Sequence, residues 1–167
     1  MEQFRQILPE ELGDNPFSLI GKDWLLLTAG APEDHNTMTV SWAGMGVLWN
    51  KNVCTAYVRP QRHTFGFMER EEYFTLSAYP EEYREALRVC GTKSGREINK
   101  AAETGLTPFD AGGATAFEEA RLVLLCRKLY AQDLRPECIV DPAVDTHYPQ
   151  KDYHRMYIGE ILRVLVK

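Results

Sequence analysis

Runs of apolar residues separated by turn residues predict a chain built mainly of β-strands. The runs cover residues 24–28, 37–42, 53–58, 73–77, 121–129 and 156–166. They are rich in β-branched and aromatic residues and are bounded by Gly, Pro, Asn or Asp, which is typical of strands. In 53–58 both alternate sets of side chains are fairly apolar, which predicts a strand buried on both faces. The Asn-Lys-Asn sequence at 50–52 predicts a tight turn and an antiparallel hairpin.

Two segments have the features of helices. Residues 80–89 begin with Pro80 and two glutamates, which suit a first helical turn, and Gly91 is the expected end. Residues 95–104 follow Ser94, a possible N-cap, and precede Gly105. Residues 136–152 are rich in Pro and acidic residues and are expected to be mostly loop. Many strands with a few helices between them favour a closed or partly closed β-barrel over a doubly wound sheet.

Length and charge limit the classes of protein that remain. With 167 residues, 44% of them hydrophobic and 26% charged, the chain is expected to form a single globular domain over 1–167. A net charge of -5 argues against nucleic-acid binding through phosphate neutralisation. The chain contains no apolar run of membrane-spanning length and begins with no signal-peptide pattern, so we expect a cytoplasmic protein without a membrane partner. The dispersed Cys54, Cys90, Cys126 and Cys138 are expected to be reduced and mostly buried.

Two segments rich in hydrogen-bond donors indicate a site for a phosphorylated ligand. Residues 36–42 (Asn-Thr-Met-Thr-Val-Ser-Trp) carry hydroxyl and amide groups, and residues 59–64 (Arg-Pro-Gln-Arg-His-Thr) carry two guanidinium groups. Charge-assisted hydrogen bonds from such groups replace the hydration shell of a phosphate. Two other interpretations stay open. The alternating hydroxyls also fit a solvent-facing strand edge, and the two arginines also fit solvated charges at a strand end.

Several segments, taken in order, resemble the flavin reductase-like family. They are LLLT at 25–28, NTMTVSW at 36–42, RPQRHT at 59–64, FTLS at 74–77, GTKSGR at 91–96 and HRMYIGEI at 154–161. The resemblance implies a mainly β fold with peripheral helices, an FMN-binding split β-barrel that is antiparallel and Greek-key-like, and assembly as a homodimer. The PEEY sequence at 80–83 is similar to the flavoredoxin-like branch. Ser77 departs from the family pattern, because many relatives have Asn there.

The same resemblance implies which residues contact FMN. They are Asn36, Thr37, Met38, Thr39, Ser41, Trp42, Arg59, Arg62, Thr64, Ser77, Ser94, Gly95, Arg96 and Lys100. Among them, Arg59, Arg62 and Thr64 are expected to face the phosphate, and Ser94, Arg96 and Lys100 to complete the polar wall.

His154 matches a family position near the open face of the flavin, which makes it the candidate catalytic residue beside the nicotinamide. A histidine at the surface or at an interface is the alternative. No metal role is assigned to His35, His63 or His147, which lack metal-ligand spacing.

The function implied by the resemblance is an FMN-binding oxidoreductase that transfers electrons from NAD(P)H through flavin to a second acceptor. Two alternatives remain open. One is a flavoredoxin-type FMN electron carrier reduced by a redox protein partner. The other is a non-enzymatic ligand-binding barrel that has lost flavin, which would be favoured if Arg59, Arg62 and Ser94 did not converge. The chain contains no Gly-x-Gly-x-x-Gly fingerprint from which a nicotinamide preference can be read.

Overall fold

The computed structural model describes residues 3–167. The strands within this range are Arg5–Ile7 (β1), Leu25–Ala31 (β2), Asp34–Val40 (β3), Ala43–Leu48 (β4), Lys51–Val58 (β5), Tyr73–Ala78 (β6), Pro108–Asp110 (β7), Thr115–Phe117 (β8), Leu122–Asp133 (β9) and Arg155–Val166 (β10). The α-helices are Pro16–Ser18 (α1), His63–Arg70 (α2), Arg84–Thr92 (α3), Lys100–Thr104 (α4) and Pro142–Asp145 (α5). Short 3-10 turns at Pro9–Glu11, Glu81–Tyr83 and Pro136–Cys138 and a π turn at Leu19–Asp23 complete the described elements.

One antiparallel sheet organises the molecule. Its strand order is β3-β2-β6-β9-β10-β5-β4, and β1 pairs with β10 beside this path. The long β10 pairs with β9 along its length, with β5 through residues 155–160 and with β1 through residues 164–166. Strands β7 and β8 form a separate two-stranded sheet. This architecture confirms the mainly β fold with peripheral helices.

Two hydrophobic clusters lie on opposite faces of the central strands. The first includes Leu25 and Leu27 of β2, and the second includes Leu26 together with Leu87 of α3. Neighbouring residues of a strand point to opposite faces, so both faces of β2 are covered. This explains why residues 25–27 form an unbroken apolar run and are each at most 1% exposed.

The predicted strands lie at β2, β3, β5, β6, β9 and β10 of the structure. In β5, Cys54, Ala56 and Val58 are buried on one face. On the other face Val53 is buried but Thr55 and Tyr57 are only half-buried, so the prediction of burial on both faces holds only in part. The predicted hairpin between β4 and β5 is confirmed, but the residues with left-handed backbone angles are Trp49 and Asn50 (φ 53° and 55°). The turn therefore begins earlier than residues 50–52.

Both helix predictions need correction at one end. Gly91 lies inside α3, which continues to Thr92. A Cβ at Gly91 would come within 3.2 Å of the Thr39 side chain, so glycine here permits close packing of α3 on β3.

The second helix begins only at Lys100, where Asn99 is the N-cap and its side chain accepts a hydrogen bond from Ala102 N. Ser94 instead stabilises a turn, because its Oγ accepts a hydrogen bond of 3.2 Å from Arg96 N. Gly105, with φ of 71°, ends α4 as predicted.

The segment 136–152 contains α5 and a 3-10 turn and is otherwise loop, as predicted. No helix within residues 3–167 is both long enough and apolar enough to cross a bilayer.

Candidate functional site

Two cavities lie along β3 and its C-terminal end. The first, which we call the lysine cavity, has a volume of about 350 Å³ and is lined by residues 32–37, His63, Phe67 and residues 95–101. The second, which we call the histidine cavity, has a volume of about 200 Å³ and is lined by residues 38–42, Tyr57, Arg59 and His154. At a strand rise of about 3.3 Å per residue, Asn36 and Val40 are roughly 13 Å apart. An elongated ligand can therefore contact both cavities along one strand.

Lys100 is the buried cation of the lysine cavity. It is the first residue of α4, and its Nζ donates to the carbonyl oxygens of Thr37 and Cys90, each at 2.8 Å. Burial, reinforced by the charge of Arg62, lowers the pKa of Lys100 to about 8. An ammonium group has three donors, so these two bonds leave one for a ligand.

Arg62 is bonded to the C-terminal end of α3. Its Nη1 donates to Gly91 O at 2.8 Å and its Nη2 to Cys90 O at 3.3 Å. Carbonyls in the last turn of a helix lack intrahelical partners, and a cation also complements the helix dipole there. Burial lowers the pKa of Arg62. Its predicted phosphate contact stays a prediction, and three further N–H donors remain to make it.

A close approach of the 94–96 turn to β3 shapes the wall of the lysine cavity. Asn36 Nδ2 donates to the fully buried Thr64 Oγ1 at 2.7 Å, which ties β3 to α2. A Cβ at Gly95 would lie only 1.9 Å from Asn36 Oδ1 and 3.0 Å from the His63 ring. Glycine at position 95 therefore lets the turn pack here without displacing Asn36.

Charged groups of both signs line the lysine cavity, with Arg96 and Lys100 as cations and Glu33, Asp34 and Glu97 as carboxylates. The pKa of His63, the first residue of α2, is lowered first by burial and then by the charges of Arg96 and Lys100. Carboxylates also line this cavity, but Asp34 is paired with Arg70 at 2.5 Å. His63 therefore experiences more positive than negative charge, and an anion would be stabilised beside it.

Two of the predicted flavin-facing hydroxyls have partners within the protein. Thr37 Oγ1 lies 2.8 Å from Thr28 Oγ1 and donates to Leu27 O at 3.3 Å. Thr39 Oγ1 donates to Leu87 O of α3. The solvent-edge interpretation is therefore wrong for these two hydroxyls, whereas Ser41, the third of the alternating set, is exposed. If Thr37 and Thr39 contact a ligand, their hydroxyls must act as acceptors or give up their present partners.

The histidine cavity contains a neutral imidazole. His154 Nδ1 lies 2.7 Å from the hydroxyl of Tyr148, and its ring packs 5.3 Å from that of Trp42. Burial and, to a smaller extent, the charge of Arg59 together lower the pKa of His154 to about 4. His154 is therefore uncharged at neutral pH.

Arg59 holds the 147–152 segment beside the histidine cavity. Its Nη1 pairs with Asp152 Oδ2 at 2.9 Å and its Nη2 donates to His147 O at 3.0 Å. Its guanidinium also lies over the Tyr148 ring at 4.9 Å. Arg59 therefore orders a loop that contacts His154.

The sequence reasoning missed Tyr148, Asp152, Tyr57 and the cavity role of His63. The first two lie in a loop about ninety residues from Arg59, and no local pattern marks them. Of these residues, His63 alone could have been found from the sequence, because it directly follows Arg62. As the first residue of a helix, it lies near any ligand that the helix N-terminus binds.

The predicted FMN-contact residues divide into three groups. Those that line the lysine cavity are Asn36, Thr37, Gly95, Arg96 and Lys100. Those that line the histidine cavity are Met38, Thr39, Ser41, Trp42 and Arg59. Those that line neither of these cavities are Arg62, Thr64, Ser77 and Ser94. Ser77 is fully buried beside Leu26.

Arg59, Arg62 and Ser94 do not line a common cavity, which is the arrangement that favours a barrel without flavin. A phosphate site in this structure would therefore have to be built on other groups. Arg62 is bonded to the end of α3, and Ser94 stabilises its own turn. The cationic groups that do line the lysine cavity are Arg96 and Lys100, with His63 beside them.

Comparison with known proteins identifies the fold. The family model of the flavin reductase like domain matches residues 17–167. The structure is similar to the FMN-binding domain of a flavin reductases-like enzyme from Shewanella baltica OS155, with a TM-score of 0.70, 15% identity and coverage of 98% of this chain and 76% of that chain. It is also similar to a flavoredoxin from Methanosarcina acetivorans, with a TM-score of 0.68, 19% identity and coverage of 87% and 68%.

A further similar structure is an NADH:FAD oxidoreductase from Streptomyces globisporus C-1027 in complex with NAD and FAD fragments, with a TM-score of 0.64, 14% identity and coverage of 87% and 74%. A search of curated proteins gave no significant match. The predicted split-barrel fold class is confirmed.

Proposed function

The chain belongs to the flavin reductase-like domain family, and from this premise we propose that it is an FMN-dependent oxidoreductase that passes electrons from NAD(P)H to a second acceptor. The observation that carries the proposal is the pair of cavities along β3. One contains a buried cation, and the other contains aromatic rings and a neutral imidazole. FMN has the same division, with an anionic phosphate at one end and an uncharged ring system at the other.

In this proposal the lysine cavity holds the phosphate. Lys100 supplies the remaining donor of its ammonium group, and Arg96 supplies a guanidinium from the exposed side. His63 stands at the start of α2, where the helix dipole favours an anion. These groups come from different elements, so the folded chain presents them together at little further entropic cost.

The histidine cavity in turn orients the ring system. Met38, Ser41 and Trp42 line it together with Tyr57 and His154. FMN supplies the hydride-accepting chemistry, and these side chains position it, limit water and keep His154 as an uncharged hydrogen-bonding group. No acid–base pair is needed for this role.

The test is anaerobic reduction. The protein is loaded with FMN and mixed with NADH or NADPH, and the visible absorption of the oxidised flavin is followed. We expect faster bleaching than in a control with free FMN at the same concentration. A bound flavin that stays oxidised with both nucleotides contradicts the reductase proposal, and a protein that binds no flavin supports the non-enzymatic barrel.

A flavoredoxin-type carrier is the second candidate, and similarity to the Methanosarcina acetivorans flavoredoxin favours it. Its FMN would be reduced by a redox protein partner instead of a nicotinamide nucleotide. A reduced ferredoxin distinguishes this carrier from the reductase. It should reduce the FMN bound to the carrier, whereas NADH and NADPH should leave that FMN oxidised.

We also propose a homodimer in the cytoplasm. The β4–β5 hairpin supports the assembly, because Val47 and Trp49 are 74% and 54% exposed and β4 is the last strand of the sheet. An edge strand with exposed apolar residues favours association. Sedimentation equilibrium should show a dimer, and replacement of Val47 and Trp49 by Lys and Gln should shift it to monomer.

A further inference from the structure

A third cavity adjoins the proposed ring site. This tryptophan cavity has a volume of about 440 Å³ and is lined by residues 16–17, 20–21, 41–45 and Tyr57. Ser41, Trp42 and Tyr57 line both it and the histidine cavity. A molecule in the tryptophan cavity would therefore be separated from the ring site by a shared wall of three side chains.

The tryptophan cavity differs from its neighbours in charge. Every residue that lines it is uncharged, within the part of the chain that the structure describes, whereas Arg59 lines the histidine cavity and Lys100 the lysine cavity. A ligand with phosphate or carboxylate groups would lose hydration there without gaining charged partners. The volume lies within the range of pockets that bind small molecules, roughly 300 to 1,000 Å³.

We propose that the tryptophan cavity binds an uncharged quinone as the second electron acceptor. This inference rests on the proposed function, because the electrons come from NAD(P)H through the flavin site. Three aromatic side chains, Phe17, Trp42 and Tyr57, are among the residues that line the cavity, and aromatic rings stack favourably on a planar conjugated ring.

The overall step is balanced. NAD(P)H, one proton and the quinone give NAD(P)⁺ and the hydroquinone. The C–H bond of the dihydronicotinamide breaks with loss of a hydride, the quinone gains two electrons, and two O–H bonds form. One proton derives from that hydride and the other from water.

Gly21 allows the cavity to be filled with little disturbance. It lines the tryptophan cavity, is exposed, and an added Cβ would meet no atom within 4 Å. Gly21→Phe should therefore add a ring beside the cavity without overpacking the core. Gly66→Phe is the matched control, because Gly66 is also an exposed helical glycine with open space at its Cβ, and it lies in α2 away from this cavity.

The kinetic test begins with FMN-loaded protein that has been reduced chemically under anaerobic conditions. Duroquinone is the probe, since its ring carbons are fully substituted and resist addition of the exposed Cys138 thiol. We expect reoxidation at low duroquinone to be at least tenfold slower in Gly21→Phe and unchanged in Gly66→Phe. Ferricyanide, an anion that accepts electrons without entering an uncharged cavity, should oxidise all three proteins at equal rates. Equal duroquinone rates, or equal slowing with both acceptors, overturn the proposal.

A binding test on flavin-free protein separates this proposal from the proposed function. Duroquinone should quench tryptophan fluorescence saturably in the unmodified protein and in Gly66→Phe, and the apparent dissociation constant should rise at least tenfold in Gly21→Phe. This result stands even if NAD(P)H fails to reduce the flavin. Absence of saturable quenching overturns the proposal. Quenching that appears only when a self-associated sample is diluted also overturns the proposal. In that case a second copy of the chain occupies the cavity in the undiluted sample.

Discussion

Lys100 and His154, at the two ends of the site along β3, respond to burial in the same direction but with opposite electrostatic results. Burial lowers the pKa of Lys100 from 10.5 to about 8 and that of His154 from 6.5 to about 4. At pH 7 the lysine therefore remains mostly charged, while the histidine is neutral. The comparison teaches that similar burial makes one cavity a site for an anion and the other a site for an uncharged ring, because the ordinary pKa values of the two side chains differ.

Their hydrogen-bond partners reinforce this difference. The ammonium of Lys100 donates to two carbonyl oxygens, which are good partners for a cation. The imidazole of His154 has a neutral tyrosine hydroxyl at Nδ1, and burial raises the pKa of that Tyr148.

The largest effect concerns acid stability at the histidine end. Since the folded-state pKa of His154 lies below its unfolded value of 6.5, the unfolded chain binds more protons between pH 6.5 and about 4. The free energy of unfolding should therefore fall as pH decreases through this window, and His154 should account for about 3 kcal/mol of the fall. Urea unfolding at a series of pH values should show that His154→Gln removes this contribution.

The exposed neighbour His147 provides the control for that experiment. His147→Gln should keep the pH dependence of the unmodified protein. If His154→Gln also keeps it, His154 is not the buried neutral group that distinguishes the histidine cavity.

At the lysine end, Lys100→Met should weaken binding of FMN by about 2 kcal/mol, roughly thirtyfold, because a hydrogen bond to a charged phosphate is lost. Riboflavin, which lacks the phosphate, should bind the variant and the unmodified protein alike. Fluorescence titration with both flavins measures the effect. Lys93→Met is the control, since Lys93 is half-exposed and paired with Glu103 at 3.3 Å.

Raising the pH tests the same group without a mutation. Above its pKa of about 8, Lys100 loses its charge, so the ratio of FMN affinity to riboflavin affinity should fall as pH rises. A bound phosphate shifts this decrease in the affinity ratio to higher pH, because it stabilises the ammonium form of Lys100. If the ratio of FMN affinity to riboflavin affinity in Lys100→Met depends on pH in the same way, another group causes the pH effect.

A smaller effect is expected where β3 meets α2. Thr64→Val keeps the shape of the side chain but removes the acceptor of Asn36 Nδ2. We expect the free energy of unfolding to drop by about 1 kcal/mol, since a buried amide donor loses its partner. Thr92→Val, at an exposed threonine in α3, should cost less in the same urea experiment. Equal costs would show that the Asn36–Thr64 bond does not stabilise the wall of the lysine cavity.

The smallest effect concerns the orientation of His154. Tyr148→Phe should cost about 0.5 kcal/mol of stability, the low end for a hydrogen bond, but should change which imidazole nitrogen carries the proton. Nitrogen NMR of the histidine ring reports the tautomer directly. Tyr153→Phe is the control, because the Tyr153 hydroxyl bonds Asp145 instead. An unchanged tautomer in Tyr148→Phe would contradict a positioning role for Tyr148.

Much of the fold was predictable from local pattern, and the errors have identifiable causes. Strands such as β6 and β9 carry β-branched and apolar residues that favour extended structure in any context. Strand β4 was implied only by the predicted hairpin and was not among the predicted apolar runs, because Gly44 and Gly46 interrupt its pattern and glycine is depleted in strands. The helix predicted from 95 begins at Lys100, because Gly95 is needed for close packing against Asn36. Local propensity does not record such long-range packing.

The site was predicted less completely than the fold. Residues 36–42, Arg96, Lys100 and His154 follow from donor-rich segments and from family resemblance, and the structure places them on two adjoining cavities. The joint phosphate role of Arg59 and Arg62 stays a prediction, and nothing in the sequence indicated that both guanidinium groups bond residues far away in the chain. Arg59 pairs with Asp152, and Arg62 bonds the last carbonyls of α3.

The sequence by itself determined the family, the antiparallel β fold and the chemical types available to the site. These depend on residue identity and on short-range periodicity, which a linear chain displays directly. Only the tertiary structure decided which cations are buried, which hydroxyls are already bonded and which charges survive at pH 7. Burial and hydrogen bonding depend on groups brought together from distant segments, such as Lys100 with Thr37 and Arg59 with Asp152.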